Sequence, residues 1–215
     1  MRFGRVVQPS KRRFDSAMDV TRCNVRQEGR IYPAMDTRTK DKRLRLVAAV
    51  GLGLGGVLGM AGSFAPSDAL RGLAWGIDGV SLVIASAILA VHFFRRGEDL
   101  VAAGYIVFAV GQGLVVSGSA MSLAMSSPSF GAGAGLWAAA LVLISVPSVF
   151  PVVVRLLGLA AAAMFAATAV QIFHGVPLHP KSEPLPFFAY PIFVATLVGW
   201  IWTLFRIESA EKPGR

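Results

Sequence analysis

One acidic residue interrupts the long apolar stretches of this sequence. Asp78 lies in the segment Trp75-Gly76-Ile77-Asp78-Gly79, inside an apolar run over residues 72–94. A carboxylate within such a run is costly to remove from water, so its side chain should face the interior of a helical bundle or a wet cavity. Two interpretations follow. Asp78 could serve as a proton- or cation-binding site, or it could form a structural interhelical contact with Arg71 as its candidate ion partner.

Four further polar residues are candidates for a buried polar or transport site together with Asp78. They are Gln112, Ser117, Ser119 and Gln171. The predicted topology places Asp78, both serines and Gln171 in the same half of the membrane, which would allow a shared pocket. Serine and glutamine in membrane helices more often form hydrogen bonds between helices than bind ligands. A shared pocket would favour a small transporter or channel subunit.

Enzymatic chemistry has little support in the sequence. The segment Ser117-Gly118-Ser119 and His174 leave a distant alternative, an intramembrane serine hydrolase, because such an enzyme needs a serine and a histidine within hydrogen-bonding reach. A phosphate-binding loop and a nucleotide fingerprint are both missing from the sequence. The single cysteine, Cys23, cannot form an intramolecular disulfide or a cysteine-based metal site. We therefore expect no catalytic residue, no metal site and no cofactor.

The apolar runs that carry these residues are long enough to be membrane helices. The chain is 54% apolar and 15% charged, with a mean hydropathy of +0.61, whereas soluble domains have about 25% charged residues. A membrane-spanning helix needs roughly 20 mostly apolar residues. The predicted spans are 46–64, 72–94, 100–124, 131–150, 153–173 and 187–205. The predicted fold is an all-α integral membrane bundle with six spans, or five if Pro147 and Pro151 only kink one long helix.

The charge is concentrated at the beginning of the chain. Residues 1–45 contain 13 of the 21 Lys and Arg residues. We interpret residues 1–44 as a basic, disordered cytoplasmic tail, 45–206 as the transmembrane domain and 207–215 as a short cytoplasmic tail. Translation could start at Met1 or at Met35, and the first span could be a signal peptide cleaved after Ser63-Phe64-Ala65. Both alternatives leave the order of the later spans unchanged.

The distribution of Lys and Arg predicts the orientation. With the amino terminus inside, the segments between spans and at the termini place 19 of these residues inside and 2 outside. The positive-inside rule then predicts that both termini are cytoplasmic, in the inner or plasma membrane of a cell, and an Arg-rich composition favours a bacterial source. Trp75, Trp137, Trp200 and Trp202 are expected in interfacial belts near the span ends.

Small residues recur every fourth position in several predicted spans. The glycines in these patterns are Gly51, Gly55, Gly59, Gly131, Gly135 and Gly158. Such stripes let helix backbones approach closely, either within one chain or between copies in a homo-oligomer. The favoured function is therefore a non-enzymatic membrane module for packing or interaction. Its expected partners are the lipid bilayer and the anionic headgroups that face the basic tail, with no nucleic acid.

Overall fold

A computed structural model of the protein describes residues 37–118, 121–177 and 181–210. This part of the chain consists of helices and their connections and contains no β-strand. A π-helical turn, Leu185–Ala189, leads into the last helix. The six α-helices are α1 (Thr37–Ser63), α2 (Asp68–Phe94), α3 (Asp99–Gly118), α4 (Leu123–Ser145), α5 (Val152–Phe173) and α6 (Tyr190–Ala210).

All six helices are long and apolar enough to cross a membrane. This confirms the predicted all-α class and the count of six spans, and it indicates a polytopic membrane protein. The fourth and fifth spans are separate helices, because α4 ends at Ser145 and α5 begins at Val152. The guanidinium of Arg155 donates hydrogen bonds to the carbonyl oxygens of Ser145 and Val146 at 2.8 and 2.6 Å, which satisfies the end of α4.

The helix bounds differ from the predicted spans at several ends. Helix α1 begins at Thr37, so it extends into the segment predicted as a tail, while residues 1–36 lie outside the described residues. Helix α3 ends at Gly118 and not at residue 124. Helix α4 begins at Leu123, eight residues before the predicted start, and continues through Pro128, where the sequence suggested a break.

Consecutive helices pack against each other in antiparallel order, and α1 also contacts α6, so the six helices form a closed ring. The glycine contacts give the register between α1 and α2. A Cβ atom added to Gly51 would meet Ala85, whereas one added to Gly62 would meet Trp75. Between α4 and α5, Gly131 faces Ile172 and Gly158 faces Ser145 in the same manner. Short connections between antiparallel neighbours explain this arrangement.

The centre of the bundle is aromatic. Trp200 of α6 reaches across to Tyr105 and Phe108 of α3, with ring centroids 5.2 and 6.4 Å apart. Trp137 of α4 stacks with Phe108 and Phe193. Trp137 and Trp200 are 3% and 1% exposed, so their side chains face the interior of the bundle and not the surface that lipid would contact. Their rings contribute apolar area to the interior instead.

The antiparallel order gives the bundle two chemically different ends. We call one of them the basic end. Helices α1, α3 and α5 begin there, and α2, α4 and α6 end there. Its described Lys and Arg side chains are Lys42, Arg43, Arg45, Arg95, Arg96, Arg155 and Arg206. The opposite end, formed by the α1–α2, α3–α4 and α5–α6 connections, has Arg71 and Lys181 among the described residues.

Candidate functional site around Asp78

Asp78 lies inside the bundle, at the junction of α1, α2 and α3. It is the eleventh residue of α2, about 15 Å along the helix axis from Asp68 at the opposite end. Its side chain is 7% exposed. A Cβ atom added to Gly59 would lie 3.2 Å from Asp78 Oδ2, and one added to Gly55 would lie 3.1 Å from Oδ1. The two glycines of α1 therefore provide the space that the carboxylate occupies.

Gln112 of α3 is the hydrogen-bonding partner of this carboxylate. Its Nε2 donates to Asp78 Oδ2 across a long distance of 3.4 Å, and the Gln112 side chain is fully buried. Asp78 Oδ1 and Gln112 Oε1 are buried without a hydrogen-bond partner in the described structure. Buried polar atoms are rarely left unsatisfied, and a buried charge without compensation is especially costly. The two unpartnered acceptor oxygens of this hydrogen-bonded pair therefore indicate that a proton, a water molecule or a cation belongs beside them.

A cavity of about 40 Å³ adjoins Asp78. Its lining comes from α1, α2, α3, α4 and α6 and includes Gly59, Asp78, Gly118, Trp137 and Tyr190. Gly118 is the last residue of α3, so the lining extends from Asp78 toward the opposite end. One water needs roughly 10–15 Å³ measured in this way, so about three or four waters fit. The volume is too small for an organic substrate.

Arg71 does not contact Asp78 in the structure. Its guanidinium forms an ion pair with Asp68 in the first turn of α2. It also lies 5.8 Å from the ring centroid of Trp75, a geometry that permits a cation–π contact. The Nε1 of Trp75 in turn donates to the carbonyl oxygen of Gly59 at 3.2 Å. The structure thus gives Arg71 other partners, and no basic side chain among the described residues bonds to the Asp78 carboxylate.

Gln112, Ser117 and Gln171 are not among the described residues that line this cavity. Ser117 is exposed and donates to the carbonyl oxygen of Leu114 at 2.7 Å. Gln171 on α5 is half-buried and lies outside the cavity lining. His174 is exposed and its Nδ1 contacts the Val170 carbonyl oxygen at 2.8 Å, so neither it nor Ser117 is bonded to the other. Ser119 lies outside the described residues. Among the candidates that the structure describes, a hydrogen bond joins Asp78 and Gln112 alone.

The aromatic part of the lining was not identified from the sequence. Trp137 was expected at an interface, and Phe130, Tyr190 and Phe193 were not singled out, yet all four line the cavity. The Nε1 of Trp137 is a buried donor without a partner in the described structure. The rotation of each helix about its axis decides which side chains meet. In these evenly apolar helices, no sequence pattern fixes that rotation.

The six glycines of the predicted packing stripes all lie near a neighbouring helix of the same chain. Gly51, Gly55 and Gly59 face α2, and Gly131 and Gly135 face α5. Gly158 faces Ser145 and Thr196. Among the residues that the structure describes, no group of three or more His, Cys, Asp or Glu could hold a metal ion. Comparison with family models, curated proteins and solved structures gave no significant match.

Proposed function

We propose that this protein is a proton-linked transporter or channel subunit in which Asp78 is the proton-binding group. The observation that carries the proposal is the buried Asp78 Oδ1, which has no partner in the described structure and belongs to a side chain that lines a cavity large enough only for water. A negative charge at this depth has to be neutralised by a proton or by a cation. A proton, delivered through water, is the species that fits both the volume and the two acceptor oxygens.

The ligand set favours a proton over a dehydrated metal cation. Asp78 Oδ1 and Gln112 Oε1 are the buried acceptor side-chain atoms at this junction that lack a partner in the described structure. A divalent cation such as Ca²⁺ takes six to eight oxygen ligands. The indole Nε1 of Trp137, a donor from the cavity lining, would disfavour a cation but can bond a water molecule. A water chain between the carboxyl group and the opposite end would pass the side chains of Asp78 and Trp137, which both line the cavity.

The proposal includes an orientation. Most described Lys and Arg residues lie at the basic end, so we place that end and both termini in the cytoplasm, with the protein in the inner or plasma membrane. The cavity then extends from Asp78 toward the external face. Asp78 would exchange protons with the outside in the conformation described here.

Proton flux into proteoliposomes tests this function. The full chain, reconstituted with a pH-sensitive dye inside the vesicles, is expected to pass protons when a pH gradient is imposed, and Asp78→Asn should abolish the flux because an amide cannot exchange a proton. Asp68→Asn is the matched control, since it removes an exposed acid from the same helix without changing the cavity. Flux that persists in Asp78→Asn, or no flux in the unchanged protein, would reject the proposal.

A second candidate function is the non-enzymatic packing module, with or without homo-oligomer formation. It is supported by the close backbone contacts at the glycines, where a Cβ atom added to Gly51 would lie 2.8 Å from the carbonyl oxygen of Ser81. In that case Asp78 and Gln112 only join α2 to α3. Asp78→Asn would then change thermal stability while the unchanged protein shows no proton flux, which separates the two candidates.

A further inference from the structure

A second and larger cavity lies at the basic end, between the beginning of α1 and the end of α2. Its volume is about 450 Å³, within the roughly 300–1,000 Å³ of small-molecule sites. From α1 it is lined by Asp41, Leu44 and Arg45. From the last turns of α2 and the residues directly after it, the lining consists of Ala87, Ile88, Leu89, Val91, His92, Arg95 and Arg96. No residue of the Asp78 site takes part in this cavity.

Arg45 is the feature that marks this cavity as a binding site. It is only 7% exposed, and its Nε has no hydrogen-bond partner in the described structure. A guanidinium that is nine-tenths removed from solvent is costly unless an anion compensates it. Its planar set of N–H donors matches the oxygens of a phosphate group better than any other common anion-binding side chain does. The unpartnered Nε therefore indicates a missing anionic ligand.

The surrounding charges also favour an anion. Arg95 and Arg96 line the cavity together with Arg45, and Asp41 is the one acidic residue among the described residues of the lining. The remaining walls are largely apolar, and Leu44 and Val91 are 42% and 49% exposed. A ligand with a negative head and a hydrocarbon chain would complement both parts, because its head would contact the arginines while its chain followed the apolar surface of the helices.

We propose that this cavity binds the phosphate headgroup of an anionic phospholipid, which would contact Arg45, Arg95 and Arg96. The inference rests on the membrane embedding of the protein but not on any role of Asp78. Arg45 directly precedes the apolar run of α1, so it lies at the level where headgroups meet the hydrocarbon layer. A free phosphate ion shares the charge but cannot use the apolar wall.

Native mass spectrometry of the full chain in detergent tests the lipid site. Titration with phosphatidylglycerol should give one saturable bound lipid, and phosphatidylcholine should bind at least tenfold more weakly. Arg45→Gln should weaken phosphatidylglycerol binding about tenfold or more, because one charge-assisted contact to the phosphate is lost. Arg45→Lys should retain part of the affinity, since the charge remains without the planar set of donors.

Two controls keep the test decisive. Arg206→Gln removes a positive charge from the same end, where Arg206 lies 4.1 Å over the ring of Trp202 and outside the cavity, and should leave binding unchanged. Arg95→Gln, an exposed position, should weaken binding even if Arg45→Gln fails to fold. Equal weakening by Arg206→Gln, or equal binding of the two lipids, would overturn the proposal. Binding of inorganic phosphate alone, lost in Arg45→Gln, would reassign the cavity to a soluble anion.

Discussion

At the scale of single residues, the position of Asp78 depends on neighbouring glycines, which have no side chain. Gly55 and Gly59 of α1 have no side chain, and a Cβ atom on either would come within 3.1–3.2 Å of the carboxylate oxygens. Gly79 next to it lets α3 approach, because a Cβ atom there would collide with Val116. The carboxylate therefore lies in space that side chains at these glycines would fill. The hydrogen bond from Gln112 is the only one that this carboxylate accepts in the described structure.

Replacing Gln112 tests how strongly the side chains of Asp78 and Gln112 are coupled. Gln112→Leu should lower the free energy of unfolding by about 1–3 kcal/mol, because it removes the donor to Asp78 and leaves the carboxyl group unpartnered. The cost should be smaller in an Asp78→Leu background, where no polar group remains to be satisfied. Thermal unfolding of the four proteins in detergent gives the coupling energy by a double-mutant cycle.

Thr196→Val supplies the comparison for this cycle. The Thr196 hydroxyl is buried but donates to the Ile192 carbonyl oxygen of its own helix at 2.9 Å. Removing this hydroxyl leaves no group of another helix unsatisfied. Thr196→Val should therefore lower the free energy of unfolding less than Gln112→Leu does, and its effect should not depend on residue 78. Additive effects of the Asp78 and Gln112 changes would argue against a shared site.

At the scale of the helices, glycine positions decide which faces meet. Gly51 and Gly53 are two residues apart on α1 and lie in different surroundings. A Cβ atom on Gly51 would lie 2.8 Å from the Ser81 carbonyl oxygen and 3.0 Å from Ala85 Cβ, whereas one on Gly53 meets no atom within 4 Å. Backbone and a short side chain cannot move aside, so the α1–α2 contact fits only a glycine at position 51.

Gly51→Ala and Gly53→Ala form a matched pair. We expect Gly51→Ala to destabilise the protein by about 1–3 kcal/mol, because α1 and α2 must separate to admit the methyl group. Gly53→Ala should be neutral or stabilising by up to about 1 kcal/mol, since alanine is the better helix former. Thermal unfolding in the same detergent measures both changes. Equal effects of the two substitutions would contradict the packing described for α1 and α2.

The sequence predicted the existence of the helices better than their ends. Apolar length identified six spans because hydrocarbon thickness sets a minimum run of residues. Pro128 led to a predicted start of α4 after it, but membrane helices tolerate proline where neighbouring groups satisfy the freed backbone carbonyl, and α4 continues through it. Asp78 was identifiable as the one acid in an apolar run. Its contact with Gln112 and the surrounding aromatic rings depended on helix rotation, which the sequence does not encode in a readable pattern.

At the scale of the whole molecule, the antiparallel ring places two cavities at different depths and ends. The smaller extends from Asp78 toward the opposite end, and the larger lies among arginines at the basic end. At the depths between Asp78 and the basic end, α1 and α2 are closed by buried apolar side chains, including Leu52, Leu82, Ala85 and Leu89. A proton on Asp78 would therefore need a change in packing to reach the basic end, as alternating access requires.

The sidedness of the two ends can be measured directly. In a Cys23→Ser background, Asp99→Cys at the basic end and Lys181→Cys at the opposite end place one exposed thiol on each side. A membrane-impermeant maleimide should label Lys181→Cys in intact cells, and it should label Asp99→Cys only after the membrane is permeabilised, because arginine-rich connections remain in the cytoplasm. Labelling of Asp99→Cys in intact cells would reverse the orientation. The Asp78 cavity would then extend toward the cytoplasm, and the lipid site would belong to the outer leaflet, where the attraction to anionic headgroups is weaker.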